Sequence, residues 1–182
     1  GRLRAFHRYQ MQYFDAPDVV FAWGENKQIV KASMVSPRVY NAMHSALQVS
    51  EFNKSQKLLC QTILILAYRT GMRINELAGI KLKNIKNLSD ISVVLTPNPY
   101  LRLKSSSAKR RVLLVALLKK DELKILTSFI AQQQRMGASY LFSQGVSKQP
   151  LPTYFFSNLM KMLWDGVLGQ DNHNYTFHSL RH

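Results

Sequence analysis

Thr70-Gly71-Met72-Arg73-Ile74-Asn75-Glu76-Leu77 is the stretch on which the reading of this chain turns. Just upstream, positions 58–68 run through apolar side chains interrupted only by Gln61 and Thr62. A segment that dense predicts a helix over about 53–70, buried on most sides. Gly71 ends it, because helices commonly close on a left-handed residue and glycine adopts that conformation without a Cβ clash. A further helix is predicted to begin near Ile74 and to carry Leu77 and Ala78. Arg73 is left in the turn between two helices.

Working outward, Ser36-Pro37 is a helix start, with serine as N-cap and proline at the first helical position. Val39, Met43, Ala46 and Leu47 follow at helical spacing. On the other side the pattern changes to strand. Residues 91–95 are β-branched and apolar, Pro97-Asn98-Pro99 breaks the chain, and 100–104 and 110–115 read as two strands joined at Ser105-Ser106-Ser107. Helices return over about 121–135 and 152–164. After a polar loop at 169–174, Thr176 reads as the N-cap of a last helix opening at Phe177. The expected fold class is α+β, mainly α-helical, with a small three-stranded antiparallel sheet whose hairpin is rich in Lys and Arg. Residues 1–32 show no clean period and read as a linker or the stub of a preceding domain. Residues 33–182 read as one domain.

The composition narrows the function. Of 182 residues, 46% are hydrophobic, enough for a sizeable core, so a disordered chain is excluded. Lys and Arg number 25 against 10 Asp and Glu, a formal charge of +15. A surface that basic attracts polyanions, nucleic acid first. The single cysteine, Cys60, lies in the apolar run and reads as a small core residue. It permits no internal disulfide, which suits a reducing compartment. No apolar run approaches the roughly 20 residues of a membrane span, and no export signal is legible. A cytoplasmic, nucleoid-associated protein is expected.

Three segments carry candidate chemistry: the stretch around Arg73, the hairpin around Lys104, and His178-Ser179-Leu180-Arg181-His182. Arginine presents a rigid fork of donors matching two phosphate oxygens. Two arginines from distant parts of the chain could clamp one phosphodiester and balance the charge that grows on its oxygens during attack. A nearby lysine or histidine could move protons. The plainer alternatives are a surface arginine past a helix end, a solvated lysine and two polar histidines. His178 and His182, at i and i+4, also match the spacing of some zinc sites. However, the residues between them lack a glutamate, and His173 is the only further candidate ligand nearby, so no metal is expected.

Thr70-Gly71-Met72-Arg73-Ile74-Asn75-Glu76-Leu77 resembles the first arginine box of the tyrosine recombinases (the phage integrase family). His178-Ser179-Leu180-Arg181-His182 resembles their second box, His-x-Leu-Arg-His, and the order of boxes and sheet is similar over about 33–182. The resemblance implies a tyrosine recombinase catalytic domain that performs site-specific DNA recombination or integration through a 3′-phosphotyrosyl intermediate. It implies that Arg73 and Arg181 grip the scissile phosphate and that His178 is a general base or phosphate donor. Lys104 would be the general acid, with Lys109 as the alternative. Glu76 would support Arg73, and His182 would support the second box.

The family's tyrosine nucleophile lies downstream of the second box. All eight tyrosines of this chain precede it, so the chain is expected to be truncated before the nucleophile and inactive by itself. Tyr175, close to His178, reads as packing or a DNA contact. No cofactor is implied, since the enzyme–DNA link conserves the bond energy and Arg, Lys and His supply the charge. Double-stranded DNA is the implied partner. A tetramer on DNA is expected of the complete protein and a monomer of this fragment. A mobile element or prophage is the implied carrier. The alternative is a DNA-binding relic or regulatory module that keeps the fold without the reaction.

Overall fold

The computed structural model describes residues 33–86, 91–101, 109–143, 149–169 and 175–180. The expected boundary at 32/33, Lys104, His173, Arg181 and His182 lie outside them.

Helix α1 spans Pro37–Val49 and α2 spans Lys54–Thr70. Ser36 Oγ accepts the Val39 amide at the start of α1. At the start of α2, Asn53 and Gln56 cap each other reciprocally, at 2.9 and 3.0 Å. That exchange satisfies two of the amides a helix N-terminus leaves unpaired. Five consecutive residues of α2, from Ile63 to Ala67, are fully buried. A helix covered on every face must be the centre of the domain. Accordingly α2 packs against α1, the short α3 (Ile74–Ala78), the helical turn α4 (Leu114–Leu117), α5 (Lys120–Arg135) and α6 (Thr153–Leu168). Cys60 is buried within it, and burial pushes its thiol up to about 11.

The sheet has three antiparallel strands in the order β1 (Ile85–Lys86), β2 (Ser92–Leu95), β3 (Arg110–Leu113). Ile85 faces Val93, and Leu95 faces Arg110. The fold class is thus mainly helical with a small three-stranded antiparallel sheet, but its strands differ from the expected set. The strand read over 100–104 is absent in its described part. Asn98 and Leu101 instead exchange backbone hydrogen bonds of 3.1 and 3.0 Å, and Asn98 Oδ1 accepts the Tyr100 amide at 3.0 Å. An asparagine side chain offers the backbone a local acceptor and so favours a turn over a ladder. The third strand is β1, whose two residues are too few for any alternation to be legible. The strand read over 110–115 stops at Leu113 because its partner β2 begins at Ser92, opposite Leu113. Leu114 and Val115 then both donate to the Ile91 carbonyl, and the chain coils into α4.

The last element also differs from expectation. Residues Phe177–Leu180 form a 3-10 turn. The cap runs in reverse: the buried Ser179 Oγ accepts the Thr176 amide at 3.0 Å.

Candidate functional site

The site is built on the close of α2. Thr70 Oγ1 donates to the Leu66 carbonyl at 2.6 Å and accepts the Met72 amide at 3.3 Å, while Gly71 takes the left-handed conformation at φ 57°. The turn drives Met72 into the core, where it is fully buried, and delivers Arg73 as the N-cap of α3. The Arg73 amide donates to Glu76 Oε2 at 2.9 Å. Its side chain remains 43% exposed, with Nη1 3.4 Å from Glu76 Oε1. The arginine therefore has a locked backbone and a cationic head open to a ligand.

Glu76 is buried, and Arg110 at the start of β3 meets it with two parallel hydrogen bonds, Nη1 to Oε1 at 3.1 Å and Nη2 to Oε2 at 2.9 Å. Burial by itself would raise the Glu76 carboxyl. The Arg110 fork, the Arg73 amide and the two positive charges outweigh it and hold the group below its ordinary value. Arg110 had no signal in the sequence: it was one basic residue among several in a hairpin. Its partner lies 34 positions away, a pairing that only the sheet creates.

Asn98 and Arg110, which flank the two candidate lysines in the sequence, are tied to α3 and its closing glycine. Asn98 Nδ2 donates to the Gly79 carbonyl, at the end of α3, at 3.0 Å. Lys109 is exposed and immediately precedes Arg110. His178 is exposed on the 3-10 turn, between the buried Phe177 and Ser179. That turn is tied to the start of the domain by Val35, whose amide donates to the Ser179 carbonyl at 3.1 Å. Both α3 and the 3-10 turn pack against α6, so the arginine turn and the histidine turn share one support. Tyr175 lies beside Trp164 of α6, ring centroids 6.0 Å apart.

A second ionic cluster, unread in the sequence, lies next along α2. Arg69 Nε and Nη2 grip Glu122 of α5 at 2.9–3.0 Å, and Tyr40 donates to the same carboxylate at 2.7 Å. Tyr40 stacks on Tyr68 with centroids 4.1 Å apart, and the Arg69 guanidinium lies over both rings. The cluster joins α1, α2 and α5 one residue before the Thr70 turn.

No helix among the described residues is long and apolar enough to cross a membrane. Compared with curated protein sequences, the chain matches none. Among solved structures it is similar to XerA recombinase (19% identity, TM-score 0.58, covering 82% of this chain and 47% of that one). It is also similar to lambda integrase, solved as a tetramer bound to a Holliday junction (18% identity, TM-score 0.59, covering 98% of this chain and 47% of that one). The chain thus spans about half the length of either protein. At these identities the likeness is one of fold, that of recombinase catalytic domains. The model of the phage integrase family matches residues 34–182, nearly the whole chain, and the chain belongs to that family.

Proposed function

We propose that this chain is the strand-cleaving domain of a site-specific DNA recombinase of the tyrosine type. The observation that carries the reading is Arg73: a guanidinium open to a ligand on a backbone locked by a buried carboxylate. A cation held in place before the reaction stabilises developing charge without reorganising at the moment of attack. Arg73 and Arg181 grip the reacting phosphate, and His178 donates to it or accepts a proton. Glu76 and His182 support the two boxes. Lys104, with Lys109 as the alternative, protonates the departing 5′ oxygen as a tyrosine oxygen bonds to phosphorus. A free 5′ hydroxyl then attacks the phosphotyrosine, restoring the diester and the phenol.

The nucleophile is none of the chain's own tyrosines. For five of the described tyrosines the packing supports this: Tyr40 and Tyr68 are stacked on each other, Tyr140 is buried with Tyr100 edge-on against it, and Tyr175 lies on Trp164, whereas Tyr154 is exposed. Double-stranded DNA is the substrate, favoured by the charge of +15. By analogy with the lambda integrase tetramer, the complete protein works as a tetramer on DNA.

The test is a denaturing gel of the full-length gene product with its target duplex. A covalent protein–DNA adduct is expected, lost in Arg73→Ala while DNA binding persists, because one contact among many is removed from binding. Binding without any adduct in the parent protein would identify a DNA-binding module instead. Equal loss of binding and cleavage in the variant would make Arg73 an anchoring residue.

A further inference from the structure

Two residues that flank the candidate lysines in the sequence, Asn98 and Arg110, are held at α3 and at the glycine that closes it. The Asn98–Leu101 turn is seated on Gly79. Asn98 Nδ2 reaches the Gly79 carbonyl, and a Cβ added to Gly79 would stand 2.7 Å from Leu101 Cβ. Arg110, the residue after Lys109, is forked onto Glu76.

Glu76 Oε2 accepts both Arg110 Nη2 and the Arg73 amide, each at 2.9 Å. One carboxylate therefore sets the position of the arginine turn and of the start of β3. If Arg110 shifts or is lost, the carboxylate is free to rotate, and the Arg73 amide loses its aligned acceptor. Arg110 is a poor candidate for gripping phosphate itself, since both of its terminal nitrogens are engaged by Glu76. Arg73 has a single terminal nitrogen on Glu76, at 3.4 Å.

We propose that Arg110 is a positioning residue that, through Glu76, holds Arg73 in place before DNA arrives. The proposal rests on the assignment of Arg73 to the reacting phosphate.

The experiment compares Arg110→Gln, Arg73→Gln and the double variant in the full-length gene product. Each is assayed for covalent adduct on the target duplex and on the same duplex with a neutral methylphosphonate at the reacting position. A cationic clamp matters less to a neutral phosphate, so the deficit of Arg73→Gln should shrink there. If Arg110 acts through Arg73, Arg110→Gln loses about 100-fold in cleavage, as a displacement of about 1 Å can cost. Its deficit shrinks on the methylphosphonate in parallel, and the double variant is no worse than Arg73→Gln. Arg110→Lys, which keeps the charge without the fork, recovers part of the loss. Normal cleavage by Arg110→Gln overturns the proposal, as does an equal deficit on both duplexes that adds to that of Arg73→Gln. If Arg73→Gln itself cleaves normally, the functional reading falls instead. Should Arg110→Gln fail to fold because Glu76 is left uncompensated, Glu76→Gln/Arg110→Gln removes the buried charge. The same loss and the same methylphosphonate signature are expected of that variant, and normal cleavage by it overturns the proposal.

Discussion

Glu76 and Arg110, 34 positions apart, face each other through two parallel hydrogen bonds of 3.1 and 2.9 Å, and the same carboxylate receives the Arg73 amide. A helix N-terminus, the arginine that caps it and a sheet edge therefore meet on one buried anion.

The first prediction concerns acid. Glu76 and Glu122 are both held below the ordinary 4.5 despite burial, which opposes the shift. The stabilisation from each is complete at neutral pH. It is lost as pH falls below about 4.5 through the depressed folded value, because the unfolded chain then binds the proton first. Stability measured by denaturant titration should fall steeply below pH 4.5, and Glu76→Gln/Glu122→Gln should flatten that limb. An unchanged slope in the double variant would locate the acid sensitivity elsewhere.

Arg69 should be costly to remove alone and cheaper to remove with its partner. Arg69→Met leaves Glu122 buried and without its guanidinium, at about 3–5 kcal/mol. Arg69→Met/Glu122→Leu should regain much of that loss, since an apolar pair avoids the desolvation of two charges. Tyr40→Phe, which deletes one hydrogen bond to the carboxylate, should cost about 1–2 kcal/mol. Chemical denaturation of the parent protein and the three variants checks the order. A double variant as unstable as Arg69→Met would refute the account.

Gly79→Ala should destabilise the domain by about 1–3 kcal/mol through overpacking. The new methyl would meet Leu101 Cβ at 2.7 Å and the Asn75 carbonyl at 3.0 Å, and neither is the yielding end of a flexible chain. Gly137→Ala has open space around it but a φ of +67°, so its cost is limited to about 1 kcal/mol of backbone strain. Thermal unfolding of both variants checks the order.

The choice between Lys104 and Lys109 can be made chemically. A general acid is needed only for a poor leaving group. Replacing the departing 5′ oxygen by sulfur, which leaves readily as a thiolate, should restore cleavage to the variant lacking the true acid. Lys104→Ala is expected to lose cleavage on the ordinary duplex and regain it on the sulfur-substituted one, with Lys109→Ala little affected. The reverse pattern would assign the acid to Lys109.

Much was legible in order. Ser36-Pro37, the capped and largely apolar 53–70 segment and Gly71 are local signals: the first helix begins where it was placed, and the second begins and ends within a residue of its expected bounds. The two arginine boxes were legible for the same reason, since each is a short contiguous pattern. The strand read over 100–104 is absent at its described residues, 100 and 101, because Asn98 diverts the backbone into a turn. Strand β1 went unread because two residues carry no period.

By itself the sequence determined the helical elements, the basic surface, the arginine boxes and through them the family. The tertiary structure decided what holds Arg73. It brought Arg110 to Glu76 and Arg69 to Glu122 across 34 and 53 positions, and it seated the Asn98–Leu101 turn on Gly79. Local patterns are written in the spacing of neighbours along the chain. A buried carboxylate acquires its cation only when packing closes the loop between them, and no residue type or interval announces that pairing in advance.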